Sequence, residues 1–267
     1  MIKAAFFDID GTLVSFNTHK ISESAKESIK QLREKGIKVF AASGRALFQI
    51  DNLKDIELDG YVTVNGGCCF VKDNENFKEI FRVSLDKEDL FSLMNYLDDK
   101  NNKFPCSLIT SDSVFINYID EIINILYGMA NVKLPAVIDF NDYITNNYKD
   151  ILQLNIFVDD NREKYIMNNV LKNSISSRWH FSFADVNPKC SGKNVGIDKV
   201  IEYYSIDISE TIAFGDGGND IGMIKHAGIG VAMGNANDDV KEISDYITDS
   251  VDDDGIYKAL KHFDLVN

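Results

Sequence analysis

The sequence predicts an α/β fold in which helices cover both faces of a parallel sheet, with a smaller α+β domain inserted. Two observations predict this class. Short apolar runs stop abruptly at Asp, Ser, Asn or Gly, and amphipathic helical segments separate these runs. Buried strands of parallel sheets read as continuous apolar runs, and their carboxyl ends present polar residues to a cleft.

Six apolar runs are predicted as strands of the main sheet. Four of them stop directly before a polar residue or a glycine: Ala4–Phe7, Ile37–Ala42, Tyr61–Val64 and Ile212–Phe214. The other two are Gly230–Met233 and Tyr246–Thr248.

Two helices are predicted between these strands. Ser24 and Glu27 have the spacing of a capping box at the start of the first helix, and Gly36 is a suitable stop after it. The second helix has an apolar stripe at helical spacing, made of Ile197, Val200, Ile201 and Tyr204. The repeated order of strand, helix and strand indicates βαβ units and an open, Rossmann-like sheet.

Residues 82–187 break this rhythm and are predicted to form the inserted α+β domain. Three runs are strand-like and two are helical: Val114–Asn117, Ile151–Val158 and Phe181–Ala184, then Lys87–Asn101 and Asp160–Asn173. The Asn-rich segment Asn141–Asn147 is predicted as a connection. Residues 1–81 and 188–267 would form the main domain, and the two crossings between the domains would permit hinge motion.

The charge balance narrows the expected partners of this chain. It has 28 Lys and Arg against 42 Asp and Glu, a formal net charge of −14. Duplex nucleic acid and anionic membrane surfaces are bound by clustered cations, so neither is expected as a partner. The first apolar run is too short for a signal-peptide core, and no stretch approaches the ~18 apolar residues of a membrane span. A cytoplasmic protein, monomeric or weakly self-associating, is expected.

Two carboxylates follow the first predicted strand, in the sequence Asp8-Ile9-Asp10-Gly11-Thr12. Residues i and i+2 of a strand point to the same side, and Gly11 permits a sharp turn. Two acids this close cannot both ionise freely without a cation or a shared proton. One can act as a nucleophile and metal ligand and the other as a general acid and base. The alternative is an ordinary surface turn.

Ser43-Gly44-Arg45 stands at a second strand end. A hydroxyl and successive N–H groups, where a strand is expected to enter a helix, form a small anion site, and the helix dipole would add attraction. Alternatively, Ser43 only caps that helix.

Gly215-Asp216-Gly217-Gly218-Asn219-Asp220 stands at a third strand end and opens a helix. Its glycines would bring the backbone close to a ligand, and Asp216 and Asp220 supply oxygen ligands suited to Mg²⁺. The alternative is a loop without a ligand.

Lys193 precedes the apolar stripe of the second predicted helix. A single lysine is usually a solvated surface charge. A cleft that holds the carboxylates of Asp8, Asp10, Asp216 and Asp220 needs cations, however, and Lys193 can supply one.

Taken together, these motifs resemble the haloacid dehalogenase superfamily of phosphohydrolases, whose four motifs occur in the same order as Asp8–Thr12, Ser43–Arg45, Lys193 and Gly215–Asp220. The long gap between Ser43 and Lys193 resembles the Cof-type branch, which carries an α/β cap (type IIB) between its second and third motifs. Further matches are Val62–Gly66, Val231–Ala236 and Asp254–Ile256. The outline is similar to bacterial sugar-phosphate phosphatases of that branch.

The resemblance implies roles for the acids. Asp8 would attack phosphorus and form an aspartyl-phosphate, and Asp10 would protonate the leaving alcohol and then activate water. Asp8, the backbone carbonyl of Asp10 and Asp216 would hold Mg²⁺. Asp220 would support the water shell of the metal and Lys193.

The resemblance also implies where the substrate binds. Ser43 and Lys193 would bind the phosphoryl oxygens. In the family, the catalytic lysine is often followed directly by Gly, whereas Lys193 is followed by Asn194. Lys189 is therefore a rival for the catalytic lysine, but a weaker one, because the spacing to the second predicted helix favours Lys193. Further substrate contacts are expected from Gly11, Thr12, Gly44, Arg45, Asn65 and Asn219.

The sequence therefore predicts a Mg²⁺-dependent phosphatase of small phosphorylated metabolites, above all sugar phosphates, with the inserted domain selecting the substrate. Two alternatives stay open. A phosphomutase would share the aspartyl-phosphate but return the phosphoryl group to the sugar. A non-catalytic sensor of a phosphorylated ligand would use the same fold, although binding alone needs no general acid at Asp10.

Overall fold

The computed structural model describes residues 1–129 and 132–267, with the backbone alone for residues 179 and 180. The strands, in chain order, are β1 (Ala4–Phe7), β2 (Lys38–Ala42), β3 (Gly60–Thr63), β4 (Cys68–Asp73), β5 (Asn76–Arg82), β6 (Cys106–Ile109), β7 (Val114–Ile116), β8 (Ala136–Val137), β9 (Gln153–Ile156), β10 (Ser174–His180), β11 (Phe183–Pro188), β12 (Thr211–Gly215), β13 (Ile229–Ala232) and β14 (Tyr246–Ile247). The α-helices are α1 (Glu23–Glu34), α2 (Lys87–Asp98), α3 (Glu121–Met129), α4 (Phe140–Asn147), α5 (Asp160–Asn169), α6 (Lys193–Tyr204), α7 (Ile221–His226), α8 (Asp238–Lys241) and α9 (Gly255–His262).

The chain divides into two compact units. Residues 1–82 and 191–267 form one, called the core unit below, and residues 83–190 form the other, the inserted unit. None of the described helices combines the length and the apolar character needed to cross a membrane.

The core unit is built on an eight-stranded sheet in the order β14-β13-β12-β1-β2-β3-β4-β5. Neighbouring strands from β14 to β3 are parallel, and β4 and β5 extend the sheet antiparallel at one edge. The sequence predicts the parallel strands but not β4 and β5. Most of β5 is exposed, so it lacks the apolar run of a buried strand.

Helices cover both faces of this sheet, as predicted. Because side chains alternate along a strand, Phe6 and Phe7 of β1 point to opposite faces. Phe7 belongs to a buried cluster with Ile29 of α1 and Leu260 of α9. Phe6 belongs to a second cluster, with Ile197 of α6. The central strand is therefore buried from both sides.

The start of α1 differs from the expected capping box. Ser22, not Ser24, is the N-cap, and its Oγ accepts a hydrogen bond from the backbone N–H of Ala25 at 3.2 Å. Ser24 instead donates to Oδ1 of Asp254 at 2.5 Å. The hydroxyl that the capping box requires is therefore hydrogen-bonded to a residue far away in the chain. Local sequence spacing does not show this partner.

The inserted unit contains a six-stranded sheet in the order β10-β11-β9-β6-β7-β8. One face is apolar and shares a buried cluster with side chains of α2, α4 and α5. The other face carries a polar row across three strands, because Asn155 is in register with both Ser107 and Asp185. The side-chain amide of Asn155 donates to Asp185 at 2.5 Å.

The Asn-rich segment 141–147 forms most of helix α4, so its prediction as a connection is wrong. Asp139 caps this helix by accepting hydrogen bonds from the N–H groups of Asn141 and Asp142 at 2.8 and 3.2 Å. Burial of Phe140 and Ile144 then fixes the helix against the sheet. Packing and capping thus outweigh the weak helix propensity of asparagine.

The close approach of α6 to β3 leads to a test of the fold. A methyl group added at Gly196 would lie 2.3 Å from Cγ1 of Val62, a buried side chain with little freedom to move. Because such overpacking costs ~1–3 kcal/mol, we expect Gly196→Ala to lower the Tm by roughly 2–12 °C. Gly128→Ala in α3 is the control: nothing in the described part of the chain lies within 4 Å of the added methyl, so Tm should stay constant or rise. Equal Tm values for wild type and Gly196→Ala would refute this packing argument.

Candidate active site

Three strand ends meet at the centre of the sheet in the core unit. β1 lies between β2 and β12, and Phe7 is in register with both Ala41 and Phe214. The backbone N–H of Asp8 donates to the carbonyl oxygen of Phe214 at 2.9 Å, which continues the β1–β12 pairing by one residue. The motifs that follow these three strands therefore converge around Asp8.

Lys193 connects two of the predicted acids. Its Nζ donates to Oδ1 of Asp8 at 2.6 Å and to Oδ1 of Asp220 at 2.5 Å, and its side chain is 0% exposed. Burial alone would lower the pKa of this ammonium, but the charges of Asp220 and Asp8 outweigh burial and raise it. Lys193 is thus a buried cation held by two carboxylates.

The carboxylates outnumber this cation. Oxygens of Asp8, Asp216 and Asp220 all lie within 4.8 Å of one another. Burial, with the charge of Asp220 as the next cause, raises the pKa of Asp216 to about 7. The same two causes raise the pKa of Asp8, although Lys193 opposes them. Three acids around one ammonium favour the presence of a further cation.

The acid cluster fits a hard divalent cation. Mg²⁺ prefers carboxylate, carbonyl and water oxygens, and carboxylate oxygens are what the cluster offers. Asp220 differs from the other two acids, because Oδ2 accepts hydrogen bonds from the N–H groups of Asp216 and Gly217 at 3.0 and 2.9 Å while Oδ1 binds Lys193. Asp220 therefore holds the loop through one carboxylate oxygen and Lys193 through the other.

The turn after Asp10 brings two segments into direct contact. Gly11 has φ +88°, and a Cβ there would lie 2.2 Å from Oδ2 of Asp216. Only glycine fits both the backbone conformation and this approach. The hydroxyl of the buried Thr12 donates to Oδ1 of Asp216 at 3.2 Å. The turn thus fixes Asp216 next to Asp8.

Ser43 lies at the end of β2, as predicted, but the expected helix after it is absent. Residues 43–46 are extended or bent, and a single 3-10 turn follows at Leu47–Gln49. Ala46 has no side chain with which to cap a helix, and the side chain of Gln49 takes the N–H of Ala46 at 2.9 Å. The helix dipole expected at Ser43 is therefore missing.

The hydroxyl of Ser43 is buried and accepts a hydrogen bond from the backbone N–H of Arg45 at 3.1 Å. This bond uses the oxygen as an acceptor and leaves the hydroxyl hydrogen for another partner. Gly44, between the two residues, is half-buried.

Arg45 is engaged with Asp10 in a two-pronged ion pair. Its Nε donates to Oδ2 of Asp10 at 2.9 Å, and Nη2 donates to Oδ1 at 2.6 Å. The planar guanidinium matches a carboxylate in this geometry, which fixes the orientation of both groups. The sequence predicts that Arg45 contacts substrate, but it gives no sign of the pairing of Arg45 with Asp10.

Asn65 occupies a strained turn beside the same site. Val64 and Asn65 have φ +53° and +50°, values that cost non-glycine residues ~1–3 kcal/mol each. The backbone N–H of Asn65 donates to the carbonyl oxygen of Ser43 at 3.0 Å, and its Oδ1 accepts from Nδ2 of Asn219 at 3.1 Å. These contacts bring Asn65 and Asn219 together, although they are far apart in sequence.

Lys189, the rival for the catalytic lysine, belongs to the inserted unit and is exposed. Its ammonium donates to the carbonyl oxygen of Lys172. Lys193, in contrast, is the lysine that contacts Asp8 and Asp220.

Replacing Lys193 with methionine tests the buried ion cluster. Lys193→Met keeps a similar shape but leaves the two carboxylates that it contacts without their cation. Removing one partner of a buried ion pair typically costs ~3–5 kcal/mol, so we expect the Tm in chelator to fall by roughly 6–20 °C.

Lys189→Met is the matched control for this experiment, because Lys189 is exposed and outside the acid cluster. Its Tm should stay within about 2 °C of wild type. A Lys193→Met protein as stable as the control would contradict the description of Lys193 as a stabilising buried cation.

Comparisons with known proteins cover nearly the whole chain. A family model for haloacid dehalogenase-like hydrolases matches residues 5–260. YkrA of Bacillus subtilis is 34% identical over 265 residues, which cover 99% of this chain and 98% of YkrA. The 5-amino-6-(5-phospho-D-ribitylamino)uracil phosphatase YcsE of the same organism is 31% identical over 266 residues, covering 99% of this chain and 96% of YcsE.

Solved structures agree with these similarities. BT1666 from Bacteroides thetaiotaomicron, a phosphatase of the haloalkanoate (HAD) superfamily, has a TM-score of 0.91 and 36% identity, covering 100% of this chain and 96% of BT1666. BT4131, a HAD subclass IIB sugar phosphatase, has a TM-score of 0.89 and 38% identity, covering 99% of this chain and 100% of BT4131. These findings confirm the fold class and the resemblance that the motifs indicated. The chain belongs to the haloacid dehalogenase-like hydrolase family.

Proposed function

We propose that this hydrolase is a Mg²⁺-dependent phosphatase of small phosphorylated metabolites, above all sugar phosphates, and that Asp8 is its nucleophile. One observation carries the proposal: Asp8 stands at the end of the central strand, in contact with the buried Lys193 and close to Asp216 and Asp220. This arrangement combines a fixed carboxylate with the charges that a phosphoryl group requires.

The first chemical step transfers the phosphoryl group to the enzyme. A carboxylate oxygen of Asp8 attacks phosphorus, the bond from phosphorus to the ester oxygen breaks, and the leaving alcohol takes a proton from Asp10. Lys193 orients Asp8 through the 2.6 Å bond to Oδ1, so the carboxylate does not need to be ordered during the reaction.

The second step returns the enzyme to its starting state. Asp10 takes a proton from water, the resulting hydroxide attacks phosphorus, and the bond from phosphorus to the Asp8 oxygen breaks to release phosphate. Asp10 then carries the proton for the next leaving group. In the structure Arg45 donates to both oxygens of the Asp10 carboxylate, so this ion pair must open at one oxygen before Asp10 can carry the proton that the leaving alcohol takes.

Asp8, the backbone carbonyl of Asp10 and Asp216 would hold Mg²⁺, which when bound supplies positive charge to the phosphoryl oxygens. Lys193 and the hydroxyl of Ser43 would contact the same oxygens. The remaining hydroxyl hydrogen of Ser43 suits this role, because its oxygen already accepts a bond from Arg45.

The substrate class is supported by the relatives. BT4131 is a sugar phosphatase, and the name of YcsE gives a phosphorylated ribityl compound as its substrate. Both substrates carry several hydroxyl groups. We assign the choice of substrate to the inserted unit.

Two variants, one at Asp8 and one at Asp10, test the mechanism with an aryl phosphate as substrate. The leaving group of this substrate needs little help from an acid. Asp8→Asn lacks the nucleophile, so we expect turnover to fall by about 10⁴-fold or more and no burst of phenol. Asp10→Asn can still form the aspartyl-phosphate but hydrolyses it slowly. It should release a burst of phenol equal to the enzyme concentration, and then turn over about 10²–10⁴-fold more slowly than wild type.

This assay, together with a phosphate-binding measurement and product analysis with a sugar phosphate, separates the other hypotheses. Normal turnover by Asp8→Asn would rule out this mechanism. A wild-type protein that binds phosphate but hydrolyses no ester would be a sensor. A protein that moves the phosphoryl group between positions of a sugar without releasing phosphate would be a phosphomutase.

A panel of phosphorylated sugars, sugar alcohols and nucleotides, ranked by kcat/KM, tests the substrate class. We expect the best sugar phosphate to exceed the best nucleotide by about tenfold or more, since one or two additional hydrogen bonds to hydroxyls give this discrimination. A nucleotide at the head of the ranking would contradict the proposed substrate class and leave the mechanism at Asp8 intact.

A further inference from the structure

Asn235 lies in the loop after β13 and joins three separate segments of the core unit. Its Nδ2 donates to the carbonyl oxygen of Gly11 at 2.8 Å and to Oδ2 of Asp216 at 3.3 Å. Its Oδ1 accepts a hydrogen bond from the backbone N–H of Val251 at 2.9 Å. One side chain therefore connects the turn after β1, the loop after β12 and the segment before α9.

Each hydrogen-bonding group of the Asn235 amide has a partner of the required polarity. Its two N–H bonds face two acceptors, and its carbonyl oxygen faces a donor. An aspartate could not donate to Gly11 or Asp216, and an alanine would make none of the three bonds. The contacts specify an amide here even though the residue is exposed.

The contacts of Asn235 act on the Asp216 carboxylate. Thr12 donates to Oδ1 and Asn235 donates to Oδ2, so each oxygen is held by one neutral donor. A carboxylate has about four lone-pair directions, and the two donors therefore leave directions for a cation. Gly11 lies close to the same carboxylate, since a Cβ at Gly11 would be only 2.2 Å from Oδ2.

The same loop also holds the backbone of Asp216. The N–H of Asn237 donates to the carbonyl oxygen of Asp216 at 3.2 Å. This bond does not involve the side chain of Asn237, which is exposed and makes no hydrogen bond within the described part of the chain. Asn235 thus contacts Asp216 through its side chain, whereas Asn237 contacts it through the backbone. Mutation of each residue can test this difference.

We propose that Asn235 is a positioning residue of the cation site: it holds the Asp216 carboxylate against Gly11 in the orientation that binds Mg²⁺. The inference rests on the proposed function, because it requires a cation at Asp216. Partners that orient a metal ligand typically contribute ~10–100-fold to metal affinity.

Calorimetric titration of Mg²⁺ into the metal-free, full-length protein tests the role of Asn235. Asn235→Ala should bind Mg²⁺ about 10–100-fold more weakly than wild type. Asn237→Ala, in the same loop and with the same change of residue, should bind it as tightly as wild type. Circular dichroism of the metal-free variants verifies folding, and Asn235→Ser replaces Asn235→Ala if the alanine variant does not fold.

The outcomes separate the inference from the proposed function. Equal Mg²⁺ affinity in wild type and Asn235→Ala would overturn the positioning role and leave the proposed function unchanged. Equal weakening in Asn235→Ala and Asn237→Ala would also overturn it, because the effect would then belong to the loop as a whole. A wild-type protein that binds no Mg²⁺ would instead overturn the proposed function.

Discussion

The ammonium group of Lys193 lies buried between the carboxylates of Asp8 and Asp220, and the rest of the site depends on this contact. Removing a charge from water costs several kcal/mol, so a buried lysine persists only where carboxylates compensate for it. Its two partners come from the end of β1 and from the loop after β12, while Lys193 itself begins α6. The ion contact therefore forms only when these three parts of the core unit are assembled.

The parallel sheet provides that assembly. Registers among β2, β1 and β12 bring the strand ends side by side, and the apolar clusters on both faces keep the strands in register. Close backbone contacts then set the finer geometry: Gly11 lies against Asp216, and the strained turn at Val64 and Asn65 lies against the end of β2. Strain of this kind is typical of functional sites, where the surrounding structure holds it in place.

Local sequence was enough to predict the strand ends, because an apolar run followed by a polar stop is contained in a few residues. The parallel strands, the flanking helices α1 and α6 and the meeting of Asp8, Ser43 and Asp216 follow from that pattern. The pattern could not predict β5, which is an exposed edge strand, or α4, whose stability comes from the Asp139 cap and from two buried side chains.

Contacts between residues far apart in the chain could not be predicted from the sequence either. The pairing of Arg45 with Asp10 joins two motifs whose spacing in the chain says nothing about their side-chain orientation. The same holds for Asn235, which lies in the matching stretch Val231–Ala236 but receives no role from the resemblance. The absence of a helix after Ser43 has a local reason, because Ala46 has no side chain that could cap one. Ser43 itself is a good N-cap residue, and this favoured the prediction of a helix.

We propose above that the acids around Lys193 form a catalytic site completed by a divalent cation. The most direct measurement is the turnover of an aryl phosphate by the wild-type protein with Mg²⁺, after removal of the metal by a chelator, and after Mg²⁺ is restored. We expect turnover to fall by about 10²-fold or more in chelator and to recover fully with Mg²⁺. Turnover that is unchanged in chelator would contradict this proposal.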